Sequence, residues 1–179
     1  THLPADQKAK KGLFLSFQYP AEVSGVALSN FLRAALNAIS GKVWSVVEFH
    51  QLLKEKMKAL GMDSSFSRRA VNEGFSGGEK KKTEILQMSI LQPKFAILDE
   101  TDSGTDVDAL KIICEGINTM RDASRSMLII THYNRMLEYI IPDHVFIMHE
   151  GKIVKEGGKE LALHIEEEGY DFLPKKVEA

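Results

Sequence analysis

The chain has 179 residues, of which 44% are hydrophobic, so it is long enough to bury the core of one domain with an inserted lobe. Its 23 basic and 25 acidic residues give a net charge of -2, which excludes the strong positive field typical of nucleic-acid-binding proteins. The single cysteine, Cys114, cannot form an internal disulfide, and there is no C-x-x-C pair to hold a metal or an iron-sulfur cluster. No apolar run approaches the roughly 20 residues that span a bilayer. We expect a globular protein of a reducing compartment, without nucleic-acid binding or direct membrane insertion.

The first half of the chain starts with strand character and then becomes helical. The apolar run from Gly12 to Gln18 predicts a short buried strand that stops before Pro20, because proline cannot donate to a strand ladder. Gln18 is therefore predicted at a strand exit. From Ala27 to about Glu73, apolar residues recur every three or four positions, which predicts a mostly helical lobe inserted between two strand regions. A further helix is predicted from about Gly77 to Leu91.

The second half alternates strand and helix patterns. The apolar runs Phe95 to Leu98 and Met127 to Ile130 flank an amphipathic helix pattern from Val107 to Met120. This order predicts two parallel strands joined by a right-handed crossover. Val145 to Met148 and Lys152 to Lys155 are joined by Glu150-Gly151, which predicts a hairpin, and a last helix is predicted near Lys159 to Glu168.

The segment from Ser76 to Glu79 has two interpretations. A serine at the start of a helix and a glutamate three residues later form a capping box. Capping does not explain Gly77 and Gly78, since each glycine inside a helix costs about 1 kcal/mol relative to alanine unless the backbone approaches something closely. The free amides and the dipole of a helix N-terminus also favour a phosphate. The segment alone leaves the cap and the phosphate site equally open.

Polar groups follow both apolar runs of the predicted parallel sheet. Asp99-Glu100 ends one run and Thr131-His132 ends the other, at the edge where open α/β sheets bind ligands. We predict that Asp99 holds Mg²⁺, usually through water, and that Glu100 orients or deprotonates an attacking water. His132 is predicted to contact a γ-phosphate or to hold that water. Gln18 is predicted to contact the metal or the water through its amide.

Other reactive side chains have simpler explanations. Lys80, Lys81 and Lys82 are expected to be solvated, with the alternative hypothesis that one of them pairs with Glu100 in a resting state. Cys114 is expected to be a small core residue of the amphipathic helix.

No stretch of the chain matches the phosphate-cradling loop G-x-x-x-x-G-K-[ST]. Gly is followed by Lys only at residues 41–42, 151–152 and 158–159, and neither Ser nor Thr follows any of these pairs. Since Glu100 and His132 need a bound triphosphate to act on, a binding module that does not hydrolyse nucleotide stays open as an alternative.

Taken together, the motifs resemble those of the ABC-type ATPases and, among these, the SufC-like ATPases of the SUF iron-sulfur cluster assembly system. Phe75 to Glu79 is similar to the ABC signature in its SufC-like spelling, and residues 17–26 are similar to the Q-loop region. Leu98-Asp99-Glu100 is similar to the Walker B motif with its catalytic glutamate, and Asp102 to Asp106 is similar to the D-loop. Thr131-His132-Tyr133 is similar to the switch-histidine segment, and Gly169 to Phe172 is also SufC-like.

The resemblance implies an α/β ABC ATPase core of the P-loop NTPase type with an inserted helical subdomain. The amino-terminal part with the Walker A motif is expected to be absent. Residues 1–20 would be core ending in the Q-loop, residues 21–91 the helical subdomain with the signature helix, and residues 92–179 the α/β core with Walker B, D-loop and switch histidine. ATP and Mg²⁺ are the implied ligands. The implied site comprises the catalytic Glu100 and His132, the metal ligands Asp99 and Gln18, and the nucleotide-binding Gln18, Ser76, Gly77, Gly78, Glu79 and Asp106.

The resemblance also implies partners. Two subunits of the family meet head to tail on ATP, so that the signature of one covers the ATP held by the other, and hydrolysis then changes the shape of a SufB-SufD-like scaffold. The inserted lobe near Gln18 is the expected partner surface, and the expected location is the cytoplasm, with the plastid as the alternative. A second alternative is an ABC transporter ATPase coupled to membrane subunits, although the spelling of residues 17–26 and 75–82 argues against it.

Overall fold

A computed structural model describes residues 2–131 and 134–168. The chain divides into two compact units, Thr1–His132 and Tyr133–Ala179. Within the described residues, no helix is both long enough and apolar enough to cross a membrane.

The larger unit places its elements in the following chain order. It begins with helix α1 (Ala5–Lys10) and strand β1 (Leu13–Ser16), which β2 (Val23–Ala27), α2 (Leu28–Ser40) and α3 (Val46–Ala59) follow. A 3-10 helix (Ser64–Arg68), β3 (Ala70–Val71), α4 (Gly77–Leu91), β4 (Phe95–Asp99), α5 (Val107–Asn118) and β5 (Ser126–Ile130) complete the unit. The predicted strands and helices are confirmed. Helix α1 and the antiparallel pair of β2 and β3 were not predicted, because they are too short to show a hydrophobic periodicity.

A three-stranded parallel sheet of order β1-β4-β5 organises this unit. Leu15 pairs with Ile97, and Ile97 pairs with Leu128, so the three strands run in register and end at one edge. The predicted parallel pairing of β4 and β5 is confirmed, and β1 is added as the neighbour of β4 on the other side. The residues after β1 and after β4 are thereby brought to the same place.

The two faces of the sheet differ in their surroundings. On one face Ser16, Ala96 and Leu98 are fully buried, and a hydrogen bond from Ser16 to Glu84 shows that α4 lies against it. The other face carries Leu15, Phe95, Leu128 and Ile130, which are 39 to 44% exposed.

Helix α4 is buried on nearly all sides. It contacts α2, α3 and α5 as well as the sheet, and eight of its fifteen residues are buried: Lys81, Thr83, Glu84, Ile85, Leu86, Met88, Ser89 and Ile90. Its packing against α5 is close, because a Cβ added at Gly116 would lie 2.9 Å from side-chain atoms of both Ile85 and Leu60. Since α4 is the central helix, polar groups on it must find partners inside the protein.

The smaller unit consists of a 3-10 helix (Asn134–Glu138), strands β6 (Val145–His149) and β7 (Lys152–Gly157), and helix α6 (Lys159–Glu168). The strands pair antiparallel, which confirms the predicted hairpin. Glu150 and Gly151 have φ angles of 47° and 75°, as a tight two-residue hairpin turn requires.

The burial of Cys114 leads to a prediction about its reactivity. The thiol is fully buried, and this burial raises the pKa of Cys114 to about 12, with Asp102 and Glu115 adding to the shift. Because the thiolate is the nucleophile, we expect the native chain at about pH 8 to resist alkylation by iodoacetamide, and the urea-unfolded chain to react at the rate of a free cysteine. Mass spectrometry against time measures both rates. Equal rates before and after unfolding would contradict the burial of this side chain.

Candidate functional site

Gln18 and Glu100 meet at the carboxyl edge of the sheet. Gln18 lies two residues after β1 and Glu100 directly follows β4, so the parallel pairing of these strands places them side by side. The Gln18 Nε2 atom donates a hydrogen bond of 2.7 Å to Oε2 of Glu100. The structure therefore brings together two of the residues predicted to carry the chemistry.

The backbone turns sharply out of the sheet at Glu100. Its φ is 45°, in the left-handed region that non-glycine residues rarely adopt, and its N–H donates to the carbonyl of Ile130 at 2.9 Å. Such a conformation persists only where the surroundings enforce it, and it is frequent at functional sites. The turn directs the Glu100 side chain to Gln18 and not along the strand.

Asp99, the last residue of β4, provides a second carboxylate at this edge. No group of three or more His, Cys, Asp or Glu side chains in the described part of the chain could hold a metal ion by itself. Magnesium commonly takes only one or two protein oxygens and completes its shell with water and phosphate oxygens. Asp99 and the amide oxygen of Gln18 are oxygen ligands of the kind that such a water-rich site uses, and their metal role stays a prediction.

The first turn of α4 contains the predicted signature segment, Ser76 to Glu79. Its capping box is complete: the Ser76 N–H donates to Glu79 Oε2 at 2.7 Å, and the Glu79 N–H donates to Ser76 Oγ at 3.3 Å. The amides of Gly77 and Gly78 are the first two of the helix and have no partner within it. The capping interpretation is confirmed, and these two amides keep the phosphate interpretation open.

The two glycines also permit close packing. A Cβ at Gly77 would lie 3.0 Å from the carbonyl oxygen of Gly104, and a Cβ at Gly78 would lie 3.4 Å from the side-chain Cβ of Ala109. Two glycines at this place in a helix predict that another group approaches the backbone closely. At Gly77 that group is the carbonyl of Gly104, in the loop after β4. The start of α4 and this loop lie against each other in one chain.

The loop between β4 and α5 holds its acidic residues in different ways. Asp102 is buried, and its Oδ2 accepts a 2.5 Å hydrogen bond from the Thr131 hydroxyl. Asp106, a predicted nucleotide contact, is exposed and caps α5 by accepting from the Ala109 N–H at 2.7 Å. His132, the predicted switch histidine, lies outside the described residues, as does the segment Gly169 to Phe172.

The expectation that the three lysines are solvated is wrong for Lys81. This side chain is 3% exposed and lies 3.6 Å from the carboxylate of Glu84, so its ionic partner is Glu84 and not Glu100. Lys80 pairs with Glu22 at 2.8 Å. The pattern of three consecutive lysines did not reveal that the middle one points into the protein.

Glu84 and Ser16 form a further buried contact that was not predicted from the sequence. Glu84 accepts hydrogen bonds from the Ser16 hydroxyl at 2.7 Å and from the Phe17 N–H at 2.8 Å. Burial raises the pKa of Glu84, and burial lowers the pKa of Lys81, because removal from water disfavours both charged forms. One signal in the sequence could have indicated that Glu84 is buried. It directly precedes the apolar residues Ile85, Leu86 and Met88 of the same helix.

Comparison with known proteins gives extensive matches, although no family model matches the chain. A probable ATP-dependent transporter of Synechocystis is 51% identical over an alignment of 179 positions, which covers 98% of this chain and 70% of that protein. The probable ATP-dependent transporter SufC of Escherichia coli is 46% identical over 175 residues, covering 96% of this chain and 71% of SufC. The chain belongs to the SufC-like family of ABC ATPases. A further relative, the probable ATP-dependent transporter ycf16 of Pyropia yezoensis, is 55% identical over 172 residues, with 94% and 68% covered.

Solved structures agree with this family's fold. The ATP-binding cassette MJ0796, dimeric in a post-hydrolysis state with ADP and Pi, matches with a TM-score of 0.75 at 14% identity, covering 88% of this chain and 68% of the cassette. The ATP-binding cassette MJ1267 of an ABC transporter matches with a TM-score of 0.67 at 24% identity, covering 91% of this chain and 68% of the cassette. The predicted α/β fold of an ABC ATPase is confirmed.

The cap at Asp106 leads to a prediction about stability. Asp106→Ala should lower the free energy of unfolding by about 0.5–2 kcal/mol, because the Ala109 N–H loses its acceptor, whereas Asp106→Asn should change little since asparagine caps equally well. Urea unfolding of the two variants and of the unsubstituted chain measures the difference. If alanine and asparagine had the same effect, the capping role would be contradicted.

Proposed function

We propose that the protein containing this chain is a SufC-like ATPase, in which hydrolysis of ATP drives a change of shape in a scaffold for iron-sulfur cluster assembly. The observation that carries the proposal is the 2.7 Å hydrogen bond between Gln18 and Glu100, at the edge where open α/β sheets bind ligands. The identity of 46 to 55% to SufC and its relatives supports it.

The proposed chemistry is attack of water on the γ-phosphate. Glu100 orients this water and accepts its proton, while the Gln18 amide holds Glu100 and contacts the water or the metal. Asp99 holds Mg²⁺ through water, and the ion offsets the negative charge of the phosphates when it is bound. His132 contacts the γ-phosphate.

We propose a head-to-tail homodimer in which Ser76, Gly77 and Gly78 of one copy close on the nucleotide of the other. The first two amides of α4 have no partner within the helix, and the positive end of the helix dipole attracts phosphate. Glu79 holds Ser76 in place through the capping box, and Asp106 lies in the loop that Gly77 touches through Gly104. The dimeric cassette with ADP and Pi supports this arrangement.

The proposed segments of the chain have different roles. Residues 1–20 and 92–179 form the nucleotide-facing core, and residues 21–91 form the helical subdomain that contacts a SufB-SufD-like scaffold near Gln18. The cytoplasm is the proposed location, with the plastid as the alternative, since ycf16 proteins are among the relatives.

A second candidate is the ATP-binding subunit of a membrane transporter, because several relatives are named as probable ATP-dependent transporters. Affinity purification of the full gene product from its own cells separates the two. Co-purification of soluble scaffold proteins is expected, and recovery of an integral membrane subunit with no scaffold protein would contradict the proposal.

The catalytic and signature roles are tested by two separate substitutions in the full gene product. Glu100→Gln should lower ATP hydrolysis by a factor of about 10² to 10⁴, since the amide cannot accept a proton. Ser76→Arg should do the same, because the long side chain stands where the phosphate must enter. Phosphate release measures the rates, and the exposed Val107→Ala serves as a control that should hydrolyse normally. Hydrolysis by Glu100→Gln at the normal rate would contradict the assignment.

Mixing these two inactive variants tests the head-to-tail arrangement. Half of the randomly formed dimers contain one copy of each, and each such dimer has one site with both Glu100 and Ser76 intact. We therefore expect recovery to about a quarter of the normal rate. If Glu100 and Ser76 of a single copy served the same site, the mixture would remain as inactive as its components.

A further inference from the structure

The backbone N–H and the backbone carbonyl of Phe17 are each held by a charged residue of α4. The carboxylate of Glu84 accepts from the Phe17 N–H at 2.8 Å, and the ammonium of Lys81 donates to the Phe17 carbonyl at 2.7 Å. Lys81 and Glu84 are one turn apart and lie 3.6 Å from each other. We call these two side chains and the Phe17 peptide the Phe17 clamp.

The Phe17 clamp touches both strands that supply the site. Through Ser16, whose hydroxyl donates to Glu84 at 2.7 Å, it holds the last residue of β1. Lys81 also lies 3.4 Å from the carbonyl oxygen of Asp99, the residue before Glu100. The clamp therefore fixes the chain immediately before Gln18 and immediately before Glu100, whose side chains hydrogen-bond to each other.

The burial of the clamp leaves its two charged side chains few alternative positions. The Lys81 and Glu84 side chains are 3% and 4% exposed. A buried ion pair adds little net stability, because both ions have lost their hydration. Removal of one partner is destabilising, because it leaves the other charge buried without a partner. Both charges are compatible with burial only when their hydrogen bonds to Ser16, Phe17 and Asp99 are made.

We propose that Lys81 and Glu84 are positioning residues that hold the Phe17 peptide, and thereby keep the Gln18 amide against Glu100. Because Ser76 caps α4 and Gly77 and Gly78 begin it, one helix joins the phosphate-facing segment to the hydrolytic pair. The expected effect on ATP hydrolysis rests on the proposed ATPase function. The expected effect on the structure around Phe17 rests on the clamp geometry alone.

The test removes both charges together, so that neither ion is left buried alone. Lys81→Met/Glu84→Leu should fold, because replacing a buried pair by apolar residues of similar volume is often neutral or stabilising. Urea unfolding checks the fold. The control is Lys80→Met/Glu22→Leu, which removes a more solvent-accessible pair joining α4 to the segment after β1. A third variant, Lys81→Met/Glu84→Gln, keeps an acceptor for the Phe17 N–H.

The first readout is amide hydrogen exchange of Phe17 in the full gene product without nucleotide. Loss of the acceptor should speed exchange by about tenfold or more in Lys81→Met/Glu84→Leu, while the control and the Glu84→Gln variant stay near the unsubstituted rate. Unchanged exchange at Phe17 in the folded Leu variant would overturn the clamp.

The second readout is ATP hydrolysis. We expect kcat to fall about tenfold in Lys81→Met/Glu84→Leu with KM nearly unchanged, and no further fall when Gln18→Ala is added, since the clamp acts through Gln18. A further fall equal to that of Gln18→Ala alone would overturn the positioning role. Absence of hydrolysis in the unsubstituted protein would instead contradict the proposed function, and the exchange result would still decide the clamp.

Discussion

The site depends on one constraint, the parallel pairing of β1 with β4. Gln18 and Glu100 are 82 residues apart in the chain, and only this pairing places their side chains within a hydrogen bond of each other. Parallel strands end at the same edge, so polar residues that follow them collect there. The left-handed turn at Glu100 and its hydrogen bond to Ile130 then take the carboxylate out of the strand direction.

Helix α4 combines packing with the proposed phosphate contact. Its middle forms the core of the larger unit, with Ile85, Leu86 and Met88 fully buried, while its first turn presents two free amides next to the loop after β4. At Gly77 the absence of a side chain allows the close approach of the Gly104 carbonyl. Close packing explains the glycine at this position, and the proposed phosphate contact is compatible with it.

Much of this organisation follows from the sequence, because β4 and β5 are apolar runs, α5 is amphipathic, and helix start and stop signals bound α4. Two further positions were predictable. Gln18 lies just after β1, and two carboxylates lie at the end of β4. The burial of Lys81 and Glu84 was not, since three consecutive lysines resemble a solvated face and nothing local shows which one points inward. Their partners are the Ser16 hydroxyl and the backbone of Phe17 and Asp99, which belong to distant segments. Elements as short as α1, β2 and β3 were not predicted, because a segment of so few residues cannot show a hydrophobic periodicity.

The most direct test of the account is a double-mutant cycle between Gln18 and Glu100 in ATP hydrolysis by the full gene product. Rates are measured for Gln18→Ala, for Glu100→Gln, for the double variant and for the unsubstituted protein. Because the two side chains act as one unit, the account predicts that the double variant is no slower than Glu100→Gln alone. Independent losses that multiply in the double variant would show that the Gln18–Glu100 contact has no part in the reaction.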